Sequence, residues 1–571
     1  MTDAAIDRSR DISQPLEQLG ADERMKAASD YLRGTIADGL LDRITGAVPE
    51  SDDVKLMKFH GIYQQDDRDV RDERRRQKLE PAYQFMIRIR LPGGVCTPAQ
   101  WLKLDELARA HGGETLRITT RQTFQFHWVL KDSLRPIIQG LHETLLDTIA
   151  ACGDDSRGVM CTVDPQSSRF HAEVAAMAKR VSDHVIPKTR AYHEIWYGSE
   201  RIAGSEPEEP FYGRTYMPRK FKIGFALPPS NDIDVYAQDL GFIAVGGPDG
   251  LEGFNVVIGG GMGRTDQAPS TYPRLASLIG FVPAARVIAC ADAVMTVQRD
   301  HGDRKDRQHA RFKYTIDDKG LDWIKAQIER HMGASLEAAR PFTFTSNGDS
   351  YGWHTTPDGR HHRTLIIENG RLDLRLLDAL RDIARIHRGS FHITPNQNVI
   401  VAGVRDEDRP AIDALLADHF PQLDGFSVVR RNAMACVALP TCGLAMAESE
   451  RYLPSLLDKI EAILGAYGLA DEPITVRMSG CPNGCSRPYI AEIGLTGRAP
   501  GKYNLYLGGG FHGERLNRMV RENVGERVIL EILSETLGRF AQERQPKEHF
   551  GDFVIRVGIV REVTQGRLFN D

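Results

Sequence analysis

The chain has 571 residues, 41% hydrophobic and 26% charged, with a formal net charge of -5 at pH 7. Such a composition is that of an ordinary globular chain too long for a single core, so three or four compact units are expected. No apolar run approaches the roughly 18 residues of a spanning helix, and a net-negative chain lacks the broad basic field that general nucleic-acid binding requires. The opening Met1-Thr-Asp-Ala-Ala-Ile-Asp-Arg8 has no basic-then-apolar signal layout, so the cytoplasm is the expected compartment.

Residues 1–80 are polar and charge-rich, including the run Arg71-Asp-Glu-Arg-Arg-Arg76, and read as an arm suited to partner docking rather than as a core. From Pro81 the pattern changes to a strand over 85–91, a turn at Pro92-Gly-Gly94, a helix over 98–111, a turn at Gly112-Gly113 and a strand over 116–130. Period-two alternation in that last strand puts Arg117, Thr119, Arg121, Thr123, Gln125 and His127 on one face. The unit recurs. Leu365-Ile-Ile-Glu-Asn-Gly370 opens a second strand and turn, Ile383-Ala-Arg-Ile-His-Arg-Gly389 echoes Leu107-Ala-Arg-Ala-His-Gly-Gly113, and Phe391-His-Ile-Thr-Pro-Asn-Gln-Asn398 echoes Leu116-Arg-Ile-Thr-Thr-Arg-Gln-Thr123. In the second copy Arg121 becomes Asn396 and Thr123 becomes Asn398, so only the first half keeps an anion-handling face. The expected division is 1–80, 81–146, 147–346, 347–426 and 427–571, with alternating strand-like and helix-like segments in the two longest pieces.

Eight cysteines are present, and Cys96, Cys152, Cys161 and Cys290 are scattered whereas Cys436, Cys442, Cys481 and Cys485 fall within fifty residues. In a reducing compartment such a group points to metal before disulfides. The spacing is C-x5-C then C-x3-C, and four thiolates are the usual ligand set of a 4Fe-4S cluster. Zinc sites more commonly use C-x2-C knuckles. Pro482 and Gly484 favour a tight turn, and Ala445 and Ala447 suggest a helix starting after Cys442, whose N-terminus would favour an anionic cluster.

These cysteines, with Tyr63-Gln-Gln-Asp-Asp-Arg-Asp69, Leu91-Pro-Gly-Gly94, Thr120-Arg-Gln-Thr-Phe-Gln-Phe-His127, Tyr216-Met-Pro-Arg-Lys-Phe-Lys222 and Cys481-Pro-Asn-Gly-Cys485, resemble the hemoprotein subunits of sulfite reductase and their siroheme nitrite reductase relatives. The resemblance covers nearly the whole chain. It implies a mixed α+β and α/β fold, a duplicated ferredoxin-like domain and two siroheme-clasping α/β domains with pseudo-twofold symmetry. It implies siroheme and a 4Fe-4S cluster as cofactors, with Cys485 bridging the two. It matches Arg88, Arg157, Lys220 and Lys222 to the cations that hold sulfite, and Arg117, Arg121 and Arg219 to cofactor-carboxylate contacts.

Physical reasoning selects the same residue types. A site holding a polycarboxylate macrocycle and a dianionic substrate needs fixed cations to offset desolvation. Arg88 and Arg90 alternate with apolar residues, and Lys220 and Lys222 flank Phe221 after Pro218. Any one of them alone is more often a solvated charge. Phe254-Asn-Val-Val-Ile-Gly-Gly-Gly-Met-Gly263 fails the G-x-G-x-x-G dinucleotide pattern, so no nicotinamide or flavin site is expected, and electrons are expected from a partner. The resemblance implies an NADPH-dependent flavoprotein as that partner, with ferredoxin as the competing donor. A siroheme nitrite reductase and, from a different class, a non-enzymatic iron-sulfur carrier are the rival functions.

Overall fold

The structure, a computed structural model, describes residues 14–162, 167–188, 195–197, 200–203, 209–420 and 425–571. Residues 1–13 of the expected arm lie outside the described residues. No helix among the described residues is long and apolar enough to cross a membrane.

The repeat read from the sequence is a repeat in space. The helix Pro98–His111 begins at Thr97, whose side chain accepts from Gln100 N while the Gln100 side chain accepts from Thr97 N, a reciprocal cap reinforced by Pro98 in the first turn. Its counterpart Leu374–Ile386 begins at Asp373, whose carboxylate accepts from Leu376 N at 3.0 Å. Each copy forms a five-stranded sheet, and each lends its short strand to the other. Val95–Cys96 pairs with Ser390–Ile393 of the second copy, and Arg371–Leu372 pairs with Leu116–Ile118 of the first. The halves share one core, in which the buried Trp101 lies between Phe124, at 5.4 Å, and Phe391, at 4.6 Å. At the axis Gln122 donates to Ile393 O at 3.2 Å and Gln397 donates to Ile118 O at 3.4 Å.

The two longer pieces are also equivalent. Met160–Cys161, Ile223–Ala226 and Leu240–Gly247 run parallel and continue antiparallel into Gly250–Ile258 and Ser277–Pro283. Ala433–Ala435, Val476–Ser479 and Ile493–Ala499 run parallel and continue antiparallel into Lys502–Leu507 and Arg518–Val524.

Three expectations are corrected. The strand expected over 116–130 is two antiparallel strands, Leu116–Ile118 and Phe124–Val129, with Arg117 opposite Gln125, so Arg117 and Arg121 do not share a strand face. The chain reverses at Thr119–Thr123, where Gln122 takes φ 54° and Thr119 N donates to Thr123 O. No helix follows Cys442; the chain turns there and the next helix is Leu453–Ala466. Residues 14–80 are not a loose arm, since Leu32, Leu56 and Phe59 are buried in the core of the first α/β unit and Val48, Met57 and Ile62 in the ferredoxin-like core.

Candidate active site

The turn 153–157 and the segment 217–222 are zipped together by their backbones. Met217 N donates to Asp154 O at 3.0 Å, Phe221 N to Asp155 O at 2.9 Å and Arg157 N to Phe221 O at 2.9 Å. The extended stretch buries Phe221 completely and turns Lys220 and Lys222 to the other side, where both remain partly accessible. Arg88, ending the strand Tyr83–Arg88, donates to Cys152 Sγ at 3.0 Å, and Arg157 donates to Gly153 O at 2.7 and 3.0 Å. At the tip of the hairpin turn Arg121 donates to Gly158 O at 2.7 Å and to Gln238 Oε1 at 2.9 Å. Arg219 stands 3.6 Å from Asp154.

These cations perturb one another. Burial, then Arg219, Arg311 and Arg157, pull Lys220 down to about 7. Burial with Arg121, Lys220 and Arg311 holds Lys222 well below its ordinary range, and burial with Arg157 and Arg487 lowers Arg121 to about 9. Buried cations that depress one another are not fully matched by anions. Asp239, which opposes the shift on Lys222, is itself gripped by Arg311 at 2.8 Å. Asp155, raised to about 8 by burial against the pull of Arg157, has no hydrogen-bond partner on either oxygen among the described residues. The charge of this cluster suits a polyanion, whose carboxylates would supply the counter-charge that the protein withholds.

Cys485 opens toward the same chamber. It is exposed although Gly484 and Ser486 on either side of it are buried, and its thiolate is among the charges felt by Lys220. Gly484 at φ 61° makes the tight turn, with its N–H donating to Cys481 O at 3.3 Å. Burial, then Cys485, raises the thiols of Cys436, Cys442 and Cys481, so the four sulfurs lie within electrostatic reach of one another. No three His, Cys, Asp or Glu side chains among the described residues close on a single ion. Backbone donors serve the sulfurs in place of the expected helix N-terminus. Gly480 N donates to Cys436 Sγ at 3.2 Å, the N–H groups of Leu444 and Ala445 face Cys442, and that of Asn483 faces Cys481. This donor set fits an anionic thiolate cluster.

The structure thus brings together Arg88, Arg121, Arg157, Arg219, Lys220 and Lys222, and separately Cys436, Cys442, Cys481 and Cys485. Arg117 keeps different company. Its guanidinium is buried on Glu450 at 2.6 Å, Ala435 O at 3.0 Å and Asn369 O at 3.2 Å, where it ties the hairpin to the cysteine-bearing unit. Arg90 donates to Ser156 O and Ser182 O and is a structural residue. Cys96, Cys161 and Cys290 are buried with thiols raised by burial, as packing groups are.

Sequence reasoning missed Arg311, Lys313 and Arg487. Arg311-Phe-Lys313 repeats the cation-Phe-cation pattern of Lys220-Phe-Lys222, and the two phenyl rings meet at 5.8 Å, so the pattern itself was an available signal. Arg487 left none: it pairs with Asp234 and donates to Thr120 O at 3.0 Å and Pro395 O at 3.4 Å, contacts made only after folding. The glycines of 259–263 pack beneath the site, where Arg264 N donates to Pro482 O at 3.1 Å.

Comparison with known proteins yields a consistent set of likenesses. The model of the nitrite/sulfite reductase ferredoxin-like half domain matches residues 76–144 and 354–419, and that of the nitrite and sulphite reductase 4Fe-4S domain matches 176–336, a segment that stops short of the four grouped cysteines. A sulfite reductase [NADPH] hemoprotein beta-component of Nitrosomonas eutropha is 70% identical over 567 residues, 99% of each chain. One from Staphylococcus carnosus is 55% identical over 96% of this chain and 97% of its own. Among solved structures, the Mycobacterium tuberculosis NirA protein shares the fold with a TM-score of 0.78 at 24% identity, covering 96% of this chain and 97% of its own.

Proposed function

This chain belongs to the nitrite and sulphite reductase family, and on that footing we propose that it is the hemoprotein component of an assimilatory sulfite reductase. It is an oxidoreductase whose family carries siroheme and a 4Fe-4S cluster, and its reaction is the six-electron reduction of sulfite to sulfide with loss of the three oxygens as water. The observation that carries the reading is the gathering of Arg88, Arg121, Arg157, Arg219, Lys220 and Lys222 on two zipped segments and a hairpin tip within electrostatic reach of the exposed Cys485.

Cys436, Cys442, Cys481 and Cys485 would hold the cluster, and Arg121 and Arg219 would meet siroheme carboxylates. Siroheme held there would supply the redox-active iron at which sulfite is reduced. Arg88, Arg157, Lys220 and Lys222 bind the sulfite oxygens, orient them, and neutralise charge as it develops, while Phe221, buried on the opposite side of the same segment, anchors the two lysines. Lys220 and Lys222, each with three N–H donors, pass protons to departing oxygens and are reprotonated from water.

The electron donor is a flavoprotein partner that takes electrons from NADPH, a reading supported by the NADPH in the relatives' names; the compartment is the cytoplasm. Turnover of the cofactor-loaded chain with a reduced viologen, comparing kcat/KM for sulfite and nitrite, tests the function. Preference for sulfite with release of sulfide supports it; strong preference for nitrite reassigns the substrate, and no turnover of either anion removes the enzymatic reading.

A further inference from the structure

The helix Ala21–Ala28 puts two charged side chains where none can be solvated. Glu23 and Lys26 are 2% and 1% exposed. Lys26 Nζ donates to Glu23 Oε1 at 2.7 Å and to Met217 O at 2.8 Å, and lies 3.6 Å from Asp154 Oδ2. Glu23 pairs in turn with the buried Arg304, which donates to Tyr216 O at 2.7 Å. Asp154 accepts from Arg307 at 2.8 and 3.0 Å, and Arg307 returns to the N-terminal helix through Asp22 at 2.8 Å. The far side of Asp154 faces Arg219 at 3.6 Å.

This network sits directly behind the zipped pair of segments that present the chamber's cations. Met217 and Tyr216, whose carbonyls are held by Lys26 and Arg304, immediately precede Arg219, Lys220 and Lys222. Asp154 precedes Arg157 by one turn, and its carbonyl accepts from Met217 N. Farther along the N-terminal segment, Phe59 O accepts from Ala150 N at 2.8 Å and Gly61 O from Arg88 N at 2.8 Å, so the same segment also fixes the start of the Arg157 turn and the end of the Arg88 strand. A charged helix buried at this depth must be matched group by group, and its outward matches run to Met217 O and Asp154 on the chamber wall and to Arg304 and Arg307 behind it.

We propose that Glu23 and Lys26 are positioning residues of the anion site, setting Arg157, Arg219 and Lys220 through Asp154 and the carbonyls of Met217 and Tyr216. The N-terminal segment is then a working wall of the chamber, in addition to any role in docking. The proposal rests on reading that chamber as the sulfite site.

The test uses the full-length, cofactor-loaded protein as wild type, Lys26→Met, Lys26→Arg and Arg307→Gln. Siroheme and iron per chain are measured first, then sulfite affinity of the resting protein from its visible spectrum, then KM and kcat with a viologen donor. Lys26→Met and Arg307→Gln should keep their cofactors while sulfite Kd and KM rise on the order of tenfold and kcat changes less, because misplaced binding groups weaken a preformed site. Lys26→Arg, which keeps the charge, should restore most of that loss. If Lys26→Met fails to fold, Arg307→Gln decides, since its side chain is 41% exposed and its removal opens no core cavity. Values of Kd and KM within about twofold of wild type in a cofactor-replete variant would overturn the positioning role alone. A wild type with no sulfite response would overturn the reading of the chamber, and this proposal with it.

Discussion

Replacing Glu450 with alanine removes the carboxylate on which one arginine from each ferredoxin-like copy converges. Arg117 meets it at 2.6 Å with a side chain only 4% exposed, and Arg371 meets it at 2.6 Å with a side chain 25% exposed. Arg371 can rehydrate, so its share is that of a surface pair, about 1 kcal/mol or less. Arg117 cannot; it keeps the backbone carbonyls of Ala435, Asn369 and, at 3.5 Å, Ile118 but no counter-ion, and a buried charge left unpaired costs about 3–5 kcal/mol. Glu450→Ala should therefore destabilise the protein by about 3–5 kcal/mol, read as a lower urea midpoint at unchanged slope. Because Glu450 N also donates to Cys436 O at 3.1 Å, loss of the cluster's visible absorbance should come earlier in the same titration. The double variant Arg117→Met with Glu450→Met buries no charge and should recover all but about 1–2 kcal/mol. A single variant that loses under about 1 kcal/mol, or a double variant as weak as the two singles summed, would refute the assignment of Arg117 as an interdomain tie.

Lys220→Met should lower kcat/KM for sulfite by about 10- to 100-fold, the worth of a charge-assisted contact, while iron content stays at the wild-type level; full activity would remove Lys220 from the mechanism. Cys442→Ser should lose iron while Cys290→Ser, in a core position whose thiol burial raises to about 12, keeps it, as iron analysis of the purified variants will show. His60 is buried, its Nε2 lies 2.8 Å from Leu32 O, and burial holds it below its ordinary value of 6.5. A depressed folded value means the stabilisation is present above 6.5 and is lost as pH falls from there toward the folded value. The wild type should lose more urea resistance than His60→Gln, which keeps an N–H donor without titrating, between about pH 7.5 and 5.5; equal losses would contradict it.

Much of the fold was legible because it is written twice. The helices Pro98–His111 and Leu374–Ile386 carry their own caps, and the paired motifs around Gln122 and Gln397 meet at the axis. The hairpin was misread for a local reason. Thr119-Thr-Arg-Gln-Thr123 contains no Gly, Pro or Asn, and its alternation continues the strand pattern. Its copy Thr394-Pro-Asn-Gln-Asn398 has both Pro395 and Asn396, so the second copy carried the turn signal that the first had lost. Taken together the two copies predict a reversal that neither shows clearly alone. The missing helix after Cys442 has another cause: Ala445 and Ala447 are good helix formers, but the N–H groups of Met446 and Ala447 are bound by Gly480 O, just past the end of the strand Val476–Ser479.

The site was legible in its chemistry and illegible in its architecture. Spacing identifies four cysteines and alternation identifies candidate cations, because both are properties of short stretches. What distinguishes Arg121 from Arg117 is not local. Both are arginines on the same hairpin, yet one faces a chamber of other cations and the other faces Glu450, more than 300 residues away in sequence. The N-terminal segment illustrates the same limit. Its charges look like those of a solvated arm because composition cannot show that Lys26 has Asp154 and Met217 O waiting for it. A buried charge is recognisable from sequence only when its partner is near in sequence, and here nearly every pairing that shapes the chamber joins segments that folding alone brings together.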